Sequence, residues 1–534
     1  MNELLPLAGV FPAGRPVRIE LRGDEPAGEL VVWSLGDEVA RHPVTATGVV
    51  DLGELAPGGY GVEWVTGERM LARTAVDVRT DPRARLRYGF TADFSSAADP
   101  EGLAETVRRL HLTGVMFYDW AYRHADLLGG GESYHDPLGQ EVTLTTVRRS
   151  ISAVQEAGAR ALGYAAVYAV GPQEWDLWRH DALLQATGEP LALGDFLFLV
   201  DPAAADWIDH FAGDLRAATA SLGFDGYHLD QFGYPKTAVR ADGAVIDLTD
   251  SFTALIGRVR AALPEATLVF NNVNDFPTWR TAQLPQDAAY VEPWEPNLTL
   301  PSLAGIVQRA HAADPQKPVV LAAYQHVYDS ATTEESDRAT ALTMATLYSH
   351  GATQILAGEA DRILVDPYYV RNAVAAESTA ALLRRWYDFL VEHDALLSEP
   401  AAVDVTAAYA AAYNDDVTLD YPDAETAWHA EAGAVWARVV QVGDRLVIHA
   451  INLTGQTDLL WDAARAPFGS PGAATLRVRA LQGRTPRIRF ADPDRSPRLT
   501  DVAVQVEGTH AVATLPEPGA WQLILIDLDP EQQA

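Results

Sequence analysis

Two hydrophobic patterns follow one another along this chain. In its first and last parts, short stretches of alternating apolar and polar residues are separated by turn residues such as Pro57, Gly58 and Gly59. This pattern is typical of antiparallel strands. In between, short apolar stretches alternate with longer segments in which apolar residues recur every three or four positions, which predicts strands that alternate with helices. The middle of the chain therefore differs in fold class from its two ends.

Eight candidate strands lie in this middle part, and helical segments connect most of them. Repeated strand–helix units predict a parallel sheet, and eight of them predict a (β/α)8 TIM barrel. The segment 274–288 shows no clear helix. The candidate strands are residues 87–94, 114–118, 161–168, 226–230, 267–273, 289–292, 318–324 and 353–356.

The helical segments are amphipathic. In one of them Trp207, Phe211 and Leu215 recur at every fourth position and share one face. The dipeptide Asp201-Pro202 predicts the start of this helix, with Asp as the N-cap and Pro at the first position. The other candidate helices are residues 100–112, 303–312, 334–349 and 378–391.

We therefore predict a multidomain protein with three parts. Residues 1–84 form a small immunoglobulin-like β-sandwich, and residues 85–398 form the (β/α)8 barrel. Residues 399–534 form a C-terminal antiparallel β-sandwich. The candidate strands of the two flanking domains include residues 17–21, 30–33, 60–65, 434–440, 445–452 and 521–526.

The composition narrows the possible partners. The net charge is -33, with 40 basic and 73 acidic residues, which argues against nucleic acid and anionic membranes because both need a basic surface. A neutral sugar is not disfavoured. The absence of cysteine excludes disulfides, thiolate metal sites and a thiol nucleophile. We see no signal peptide and no transmembrane segment, so we expect a cytoplasmic protein, or a secreted one if a signal was removed. The sequence does not predict an oligomeric state.

Candidate chemistry lies in the stretch 223–233, where Asp225 opens a predicted strand and Asp230 closes it. Five residues at about 3.3 Å each separate them by about 17 Å, too far for one small active site. Barrel enzymes place their chemistry at the carboxyl ends of the strands, which favours Asp230 as catalytic and Asp225 as structural. A later strand ends at Glu292. Two carboxylates at strand ends, with aromatic residues beside them, are typical of glycosidases.

Simpler interpretations exist for these residues. A single acidic residue after a strand most often caps a helix or is a solvated loop charge. Asp225-Gly226 could form a hairpin turn, although Gly223 has just ended a helix. The acidic segment 242–250 lacks the spacing of a calcium loop, and the glycines at 129–131 lack the Lys and Ser/Thr of a phosphate loop. We therefore predict no metal and no organic cofactor.

Aromatic and polar residues follow the second candidate strand, in the segment FYDWAYRH at 117–124. Aromatic faces stack on sugar rings, and polar tips hold hydroxyl groups. The alternative is an aromatic layer that packs beneath a loop. The segments 271–274 and 358–359 have a similar pair of interpretations, as sugar contacts or as turn chemistry alone.

The sequence resembles glycoside hydrolase family 66 in stretches that span most of the predicted barrel in the right order. Members of this family are endo-dextranases and cycloisomaltooligosaccharide glucanotransferases, which act on α-1,6-linked glucan. The matching stretches are FYDWAYRH (117–124), DPLG (136–139), FDGYHLDQFG (224–233), VFNNVN (269–274), YVEPW (290–294), and GE (358–359) followed by YY (368–369).

The resemblance implies that Asp230 is the nucleophile and Glu292 the general acid/base of a retaining mechanism, with carboxyl groups about 5 to 5.5 Å apart. It implies hydrolysis of α-1,6-glucosidic bonds in dextran or isomaltooligosaccharides. A glucan transglycosylase and a catalytically silent glucan-binding barrel are the alternatives. The residues that we predict to bind substrate are Tyr118, Asp119, Trp120, His124, Gln231, Asn272, Trp294 and Glu359.

Overall fold

The computed structural model describes residues 2–24, 27–194, 196–410, 413–479 and 485–527. Parts of the predicted C-terminal sandwich, residues 411–412, 480–484 and 528–534, therefore lie outside the described residues. The prediction of a multidomain protein with a barrel is confirmed. The limits of the three domains and the immunoglobulin-like type of the first remain predictions.

Eight parallel strands in sequence order form the barrel. The eighth strand has two short pieces: Ala352–Gln354 pairs with the seventh strand, and Ala357–Gly358 pairs with the first through Gly358 and Phe90, which closes the ring. The first seven strands are Tyr88–Thr91, Gly114–Phe117, Arg160–Ala166, Gly226–Asp230, Thr267–Val273, Ala288–Glu292 and Val319–Leu321. Each overlaps the stretch that the sequence predicts.

A helix follows every barrel strand, and the fifth of these helices is a single turn, in the segment where the sequence shows no clear helix. None of the helices in the described part of the chain is both long and apolar enough to span a bilayer. The helices are Pro100–Arg109, Leu144–Glu156, Ala205–Leu222, Leu248–Ala262, Thr278–Thr281, Leu300–Ala313, Thr333–Ser349 and Glu377–Glu392.

The predicted start of the third helix is wrong. The helix begins at Ala205 with Ala204 as its N-cap. Asp201 instead accepts hydrogen bonds from the Ser251 hydroxyl at 2.8 Å and from the backbone N–H of Ala203 at 3.0 Å. Its carboxylate is occupied by contacts to the loop before the helix and to the helix Leu248–Ala262, so it does not cap the first turn.

Two layers of sheet precede the barrel and share one hydrophobic core. Buried residues such as Ile19 on one sheet and Trp64 on the other fill the space between them. The three-stranded sheet consists of Glu3–Pro6, Pro16–Arg22 and Gly48–Glu54. The five-stranded sheet consists of Phe11–Pro12, Arg69–Arg79, Gly58–Thr66, Gly28–Ser34 and Asp37–Val44.

Two further sheets follow the barrel and also share a core. The larger sheet consists of Val403–Asp404, Thr426–Ala427, Val435–Val442, Arg445–Asn452, Trp521–Asp527, Arg487–Asp492 and Ser496–Asp501. The smaller sheet consists of Val417–Asp420, Ala474–Arg479, His510–Leu515 and Val504–Glu507.

A segment of this C-terminal region braces two loops at the carboxyl ends of the barrel strands. Trp461 donates from its ring nitrogen to the carbonyl of Asn297 at 2.8 Å, in the loop after the sixth strand. Asp462 accepts from the backbone N–H of Val327 at 2.9 Å, in the loop after the seventh. The two loops that flank Glu292 are therefore held from outside the barrel.

Candidate active site

A pocket of about 230 Å³ opens at the carboxyl ends of the barrel strands, where barrel enzymes carry their chemistry. A larger cavity of about 380 Å³ lies at the opposite ends of the strands and contains none of the predicted site residues. The residues that line the first pocket are Met116, Tyr118, Asp119, His124, Leu138, Tyr164, Leu193, Phe196, Leu197, His228, Asp230, Gln231, Phe232, Tyr234, Asn271, Val273, Tyr290, Glu292, Trp294, Tyr324, Pro367, Tyr368 and Tyr369.

Asp230 and Glu292 face each other in this pocket across the side chain of Asn271. The Nδ2 of Asn271 lies 2.7 Å from Oδ1 of Asp230 and 2.9 Å from Oε2 of Glu292. Since both oxygens bond to one nitrogen, they cannot be further apart than the sum of these distances, about 5.6 Å. This limit fits the short carboxyl separation of retaining glycosidases and excludes, for these oxygens, the 6.5–9.5 Å of inverting ones.

The environment of the two carboxyl groups favours different protonation states. Burial raises the pKa of Asp230 to about 6, while hydrogen bonds from Tyr164 and Asn271 oppose this by stabilising its carboxylate. Burial and then the charge of Asp230 raise the pKa of Glu292 to about 7. Asp230 therefore ionises first as the pH rises. Its negative charge then opposes ionisation of Glu292, which keeps its proton to higher pH.

Burial also shifts the pKa of the other titratable groups around the pair. Burial, followed by the charges of Asp136 and Asp230, raises the pKa of Asp119 well above its usual range. Burial lowers the pKa of His124 to about 4 and that of His228 to about 3. The two histidines are therefore neutral at pH 7, and burial disfavours the charged form of Asp119.

Five of the predicted substrate-binding residues lie in the pocket wall: Tyr118, Asp119, His124, Gln231 and Trp294. The ring of Tyr118 stacks on Tyr369 with ring centres 4.5 Å apart. Asp119 has left-handed backbone geometry, and its buried Oδ1 has no hydrogen-bond partner in the described structure. Gln231 uses its amide within the fold, since it donates to two backbone carbonyls and accepts from the N–H of Gly233. Whether these residues bind sugar remains a prediction.

Trp120 and Asn272 do not reach the pocket, which corrects two predictions. Trp120 is completely buried between the barrel and its helices, where it packs on Phe224 and donates to the carbonyl of Tyr164 at 3.1 Å. The side chain of Asn272 donates to the carbonyls of Phe270 and Tyr290 and is fully buried. Asn272 does not reach the pocket because successive residues of a strand point to opposite faces, and the side chain of Asn271 points to the inner face of the barrel.

Glu359 lies in a different pocket from the two carboxyl groups, and its role in binding substrate remains a prediction. This pocket, of about 440 Å³, shares no lining residue with the one that holds Asp230 and Glu292. The Oε2 of Glu359 accepts hydrogen bonds from the Thr91 hydroxyl at 2.6 Å and from the backbone N–H groups of Ala92 and Asp93. The side chain therefore fastens the end of the first barrel strand.

Sequence reasoning missed the residues that hold the two carboxyl groups. Tyr164 donates to Oδ2 of Asp230 at 2.7 Å, and Asn271 bridges the pair. Tyr324 and Trp294 hydrogen-bond to Glu292. The signal was present, because Tyr164, Asn271 and Tyr324 all lie within predicted strands, Asn271 near the carboxyl end and Tyr324 at it. What the sequence lacked was evidence of which of them face inward.

Asp225 lies at the other end of its strand, as the sequence predicts. Its Oδ2 accepts hydrogen bonds from the backbone N–H of Ala161 at 2.8 Å and from the Gln155 amide at 3.0 Å. It therefore joins the fourth strand to the start of the third and to the preceding helix. In the described part of the chain, no three His, Cys, Asp or Glu side chains are grouped so that they could hold a metal ion.

Comparison with known proteins relates the chain to enzymes of α-glucan metabolism. The family model "Glycosyl hydrolase family 66" matches residues 54–525. Two relatives from Niallia circulans, both named cycloisomaltooligosaccharide glucanotransferase, are 25% identical over 322 residues and 26% identical over 297 residues. These matches cover 55% and 50% of this chain but 33% and 31% of the relatives. The chain thus spans about a third of the length of the curated relatives it matches.

Two solved structures are similar in fold. A Paenibacillus sp. cycloisomaltooligosaccharide glucanotransferase complexed with cycloisomaltoheptaose superposes with a TM-score of 0.87 at 18% identity, covering 98% of this chain and 100% of that one. An α-amylase from Geobacillus thermoleovorans complexed with acarbose gives a TM-score of 0.51 at 12% identity, covering 83% and 98%. At such low identities the likeness shows the fold alone.

Proposed function

This chain belongs to glycosyl hydrolase family 66 and is a glycosidase-type enzyme, and from that premise we propose that it is a retaining enzyme for α-1,6-linked glucan. In this proposal Asp230 is the nucleophile and Glu292 the general acid/base. The observation that carries it is the pair of buried carboxyl groups that share the Nδ2 of Asn271, with oxygens at most about 5.6 Å apart.

The proposed reaction has two balanced steps. The carboxylate of Asp230 attacks the anomeric carbon while the bond to the leaving oxygen breaks, and Glu292 gives its proton to that oxygen. The product of this step is a covalent glycosyl-enzyme. In the second step Glu292, now a carboxylate, takes a proton from an incoming hydroxyl. That oxygen attacks the anomeric carbon, the bond to Asp230 breaks, and the product retains the α configuration.

The electrostatics of the pocket support this assignment of roles. A nucleophile must be ionised, and Asp230 receives two side-chain hydrogen bonds that stabilise its charge. A general acid must hold a proton, and the pKa of Glu292 is raised above that of Asp230. Burial keeps His124 neutral at pH 7 and disfavours the charged form of Asp119, which suits an uncharged sugar.

Two acceptors are possible in the second step, and they define two candidate functions. Water gives hydrolysis of dextran or isomaltooligosaccharides, which the resemblance of the sequence implies. A sugar hydroxyl gives transglycosylation, which the names of the two Niallia circulans relatives favour. A catalytically silent glucan-binding barrel would lack at least one of the two catalytic carboxyl groups. Asp230 and Glu292 are both present in the pocket, which argues against this alternative.

The test is incubation of the purified protein with dextran and with isomaltooligosaccharides of defined length. New reducing ends indicate hydrolysis, whereas longer or cyclic products without new reducing ends indicate transfer, and early NMR spectra report the anomer. The control is Asp230→Asn, which keeps the shape of the side chain but removes the nucleophile. Starch serves as the substrate control for bond type. The proposal fails if the protein acts on neither α-1,6-linked substrate, or if the first product is the β-anomer.

A further inference from the structure

Asn271 occupies a special position in the barrel. It lies on the fifth strand, between the strand that ends at Asp230 and the strand that ends at Glu292. Its side chain is buried, and its amide nitrogen is within hydrogen-bond distance of both carboxyl groups. An amide nitrogen carries two hydrogens. Each can therefore serve one carboxyl group, and no other described contact links the pair.

This bridge has a consequence for the location of the proton. When Glu292 is protonated, the hydrogen bond from Asn271 to Oε2 favours Oε1 as the oxygen that carries the proton, because a carbonyl oxygen is a better acceptor than a hydroxyl oxygen. Asp230 has donors on both oxygens, Asn271 on Oδ1 and Tyr164 on Oδ2, which favours its ionised form. A single amide thus orients the acid and stabilises the charge of the nucleophile at the same time.

We propose that Asn271 is a positioning residue that sets the distance between the two carboxyl groups and favours Oε1 of Glu292 as the oxygen that carries the proton. Its catalytic meaning rests on the proposed function, but the bridge itself can be tested without any activity. The Oδ1 of Asn271 is buried and has no hydrogen-bond partner in the described structure. The amide therefore keeps its orientation through the two carboxyl groups alone.

Other titratable groups face the pair from the surrounding elements. Asp119 and His124 come from the loop after the second strand, and Tyr164 and His228 come from the third and fourth strands. Tyr290 belongs to the sixth strand, and Tyr324 follows the seventh. Burial raises the pKa of Asp119, lowers that of His124 to about 4 and that of His228 to about 3, and raises the pKa of the three tyrosines. Since the side chain of Asn271 bonds to Asp230 and Glu292, replacement of Asn271 should act first on the titration of these two carboxyl groups, and their assigned resonances identify them in the second experiment below.

The first experiment compares pH profiles of kcat/KM for Asn271→Ala and Asn271→Asp with that of the unchanged enzyme. Loss of the donor disfavours the charged form of both carboxyl groups, so both limbs of the profile move to higher pH, by about one unit for Asn271→Ala. Asn271→Asp moves them further because it also adds a third acid. We expect kcat/KM at the optimum to fall about 100-fold.

Asn272→Ala is the matched control. Asn272 is the neighbouring residue of the same type on the same strand, but its amide bonds to backbone carbonyls outside the pocket. We expect a lower melting temperature for this variant and an unchanged pH profile. A role of Asn271 that was merely structural would give the same result for Asn271→Ala, with no movement of the two limbs.

The second experiment follows the carboxyl groups directly. In protein labelled with ¹³C at the Asp and Glu carboxyl carbons, Asp230→Asn and Glu292→Gln assign the two resonances. Asn271→Ala should move both titrations to higher pH even if no glucan is a substrate, so failure of the proposed function and failure of this inference are distinguishable. The inference is overturned if both resonances titrate as in the unchanged protein. If Asn271→Ala does not fold, the same measurement is made on Asn271→Asp, for which we also expect both titrations to move to higher pH.

Discussion

Replacement of Glu292 by alanine separates the two steps of the proposed reaction. The substitution removes the Cγ, the Cδ and both carboxyl oxygens of a buried side chain, and leaves Asp230 with its donors Tyr164 and Asn271. The nucleophile therefore stays in place and ionised. What the variant lacks is the proton for the leaving oxygen in the first step and the base in the second.

The size of the effect depends on the leaving group. General acid catalysis by a positioned side chain contributes about 10²–10⁴-fold, so Glu292→Ala should slow the cleavage of dextran by that factor, or about 3–5 kcal/mol. A fluoride leaving group needs little protonation, so α-isomaltosyl fluoride should form the glycosyl-enzyme at a rate within about tenfold of the unchanged enzyme. The intermediate then accumulates, because no base activates the incoming water. With this substrate the alkaline limb of the pH profile also disappears, since that limb reports the loss of the proton from Glu292.

Azide provides the assay. The substitution removes four non-hydrogen atoms, one more than the linear azide ion contains, and azide attacks without the loss of a proton. Added azide should restore turnover and give the α-glycosyl azide, identified by NMR. In Asp230→Ala, azide would instead attack the substrate directly and give the β-anomer.

The matched control is Glu295→Ala, because Glu295 lies three residues further along the chain, in the loop after the sixth strand, and is exposed. We expect it to retain activity on dextran and to give no azide product. Formation of the α-azide by Glu295→Ala in place of Glu292→Ala would refute the acid/base assignment. Equal loss of activity by Glu292→Ala on dextran and on the fluoride would refute the argument from leaving groups.

The remaining predictions concern the two ends of the same strand, the pH optimum and two tryptophans. Asp225→Asn should lower the free energy of unfolding by about 1–3 kcal/mol, because the carboxylate of Asp225 accepts a hydrogen bond from the backbone of the third strand. This variant should have a lower melting temperature and a normal kcat. A stable but inactive variant would show that Asp225, and not Asp230, is the catalytic aspartate. Activity requires ionised Asp230 and protonated Glu292, so it should rise as pH increases through the pKa of Asp230 and fall as pH increases through the pKa of Glu292. Since burial raises both pKa values, the pH optimum should lie above the range in which ordinary carboxyl groups titrate. A stopped-flow rate profile that is flat from pH 4 to 8 would contradict this prediction. Trp294→Ala should raise KM about tenfold with little change in melting temperature, because Trp294 lines the pocket. Trp120→Ala should lower the free energy of unfolding by about 3–5 kcal/mol and leave the KM of the folded protein unchanged, because Trp120 is buried between the barrel and its helices. The reverse pattern would contradict the placement of both tryptophans.

The sequence by itself determined the barrel and the position of the two carboxylates along its strands. Both are local properties. A short apolar stretch followed by an amphipathic helix predicts one strand–helix unit, and the direction of the chain then identifies the carboxyl end of each strand. This is why Asp230 and Asp225 could be assigned to opposite ends of one strand, as the hydrogen bonds of each now show.

Only the tertiary structure decided which neighbours face the pocket. The fifth strand is buried along almost its whole length, so its sequence lacks the alternation of apolar and polar residues that marks an inner and an outer face. With two adjacent asparagines, a shift of one residue exchanges their faces, and the sequence offers no means to choose Asn271 over Asn272. Trp120 and Glu359 lie in irregular segments beyond strand ends, where periodicity gives no direction at all. The bridge from Asn271 to Asp230 and Glu292 joins residues 41 and 21 positions apart, and such a contact exists only because parallel strands bring their carboxyl ends together.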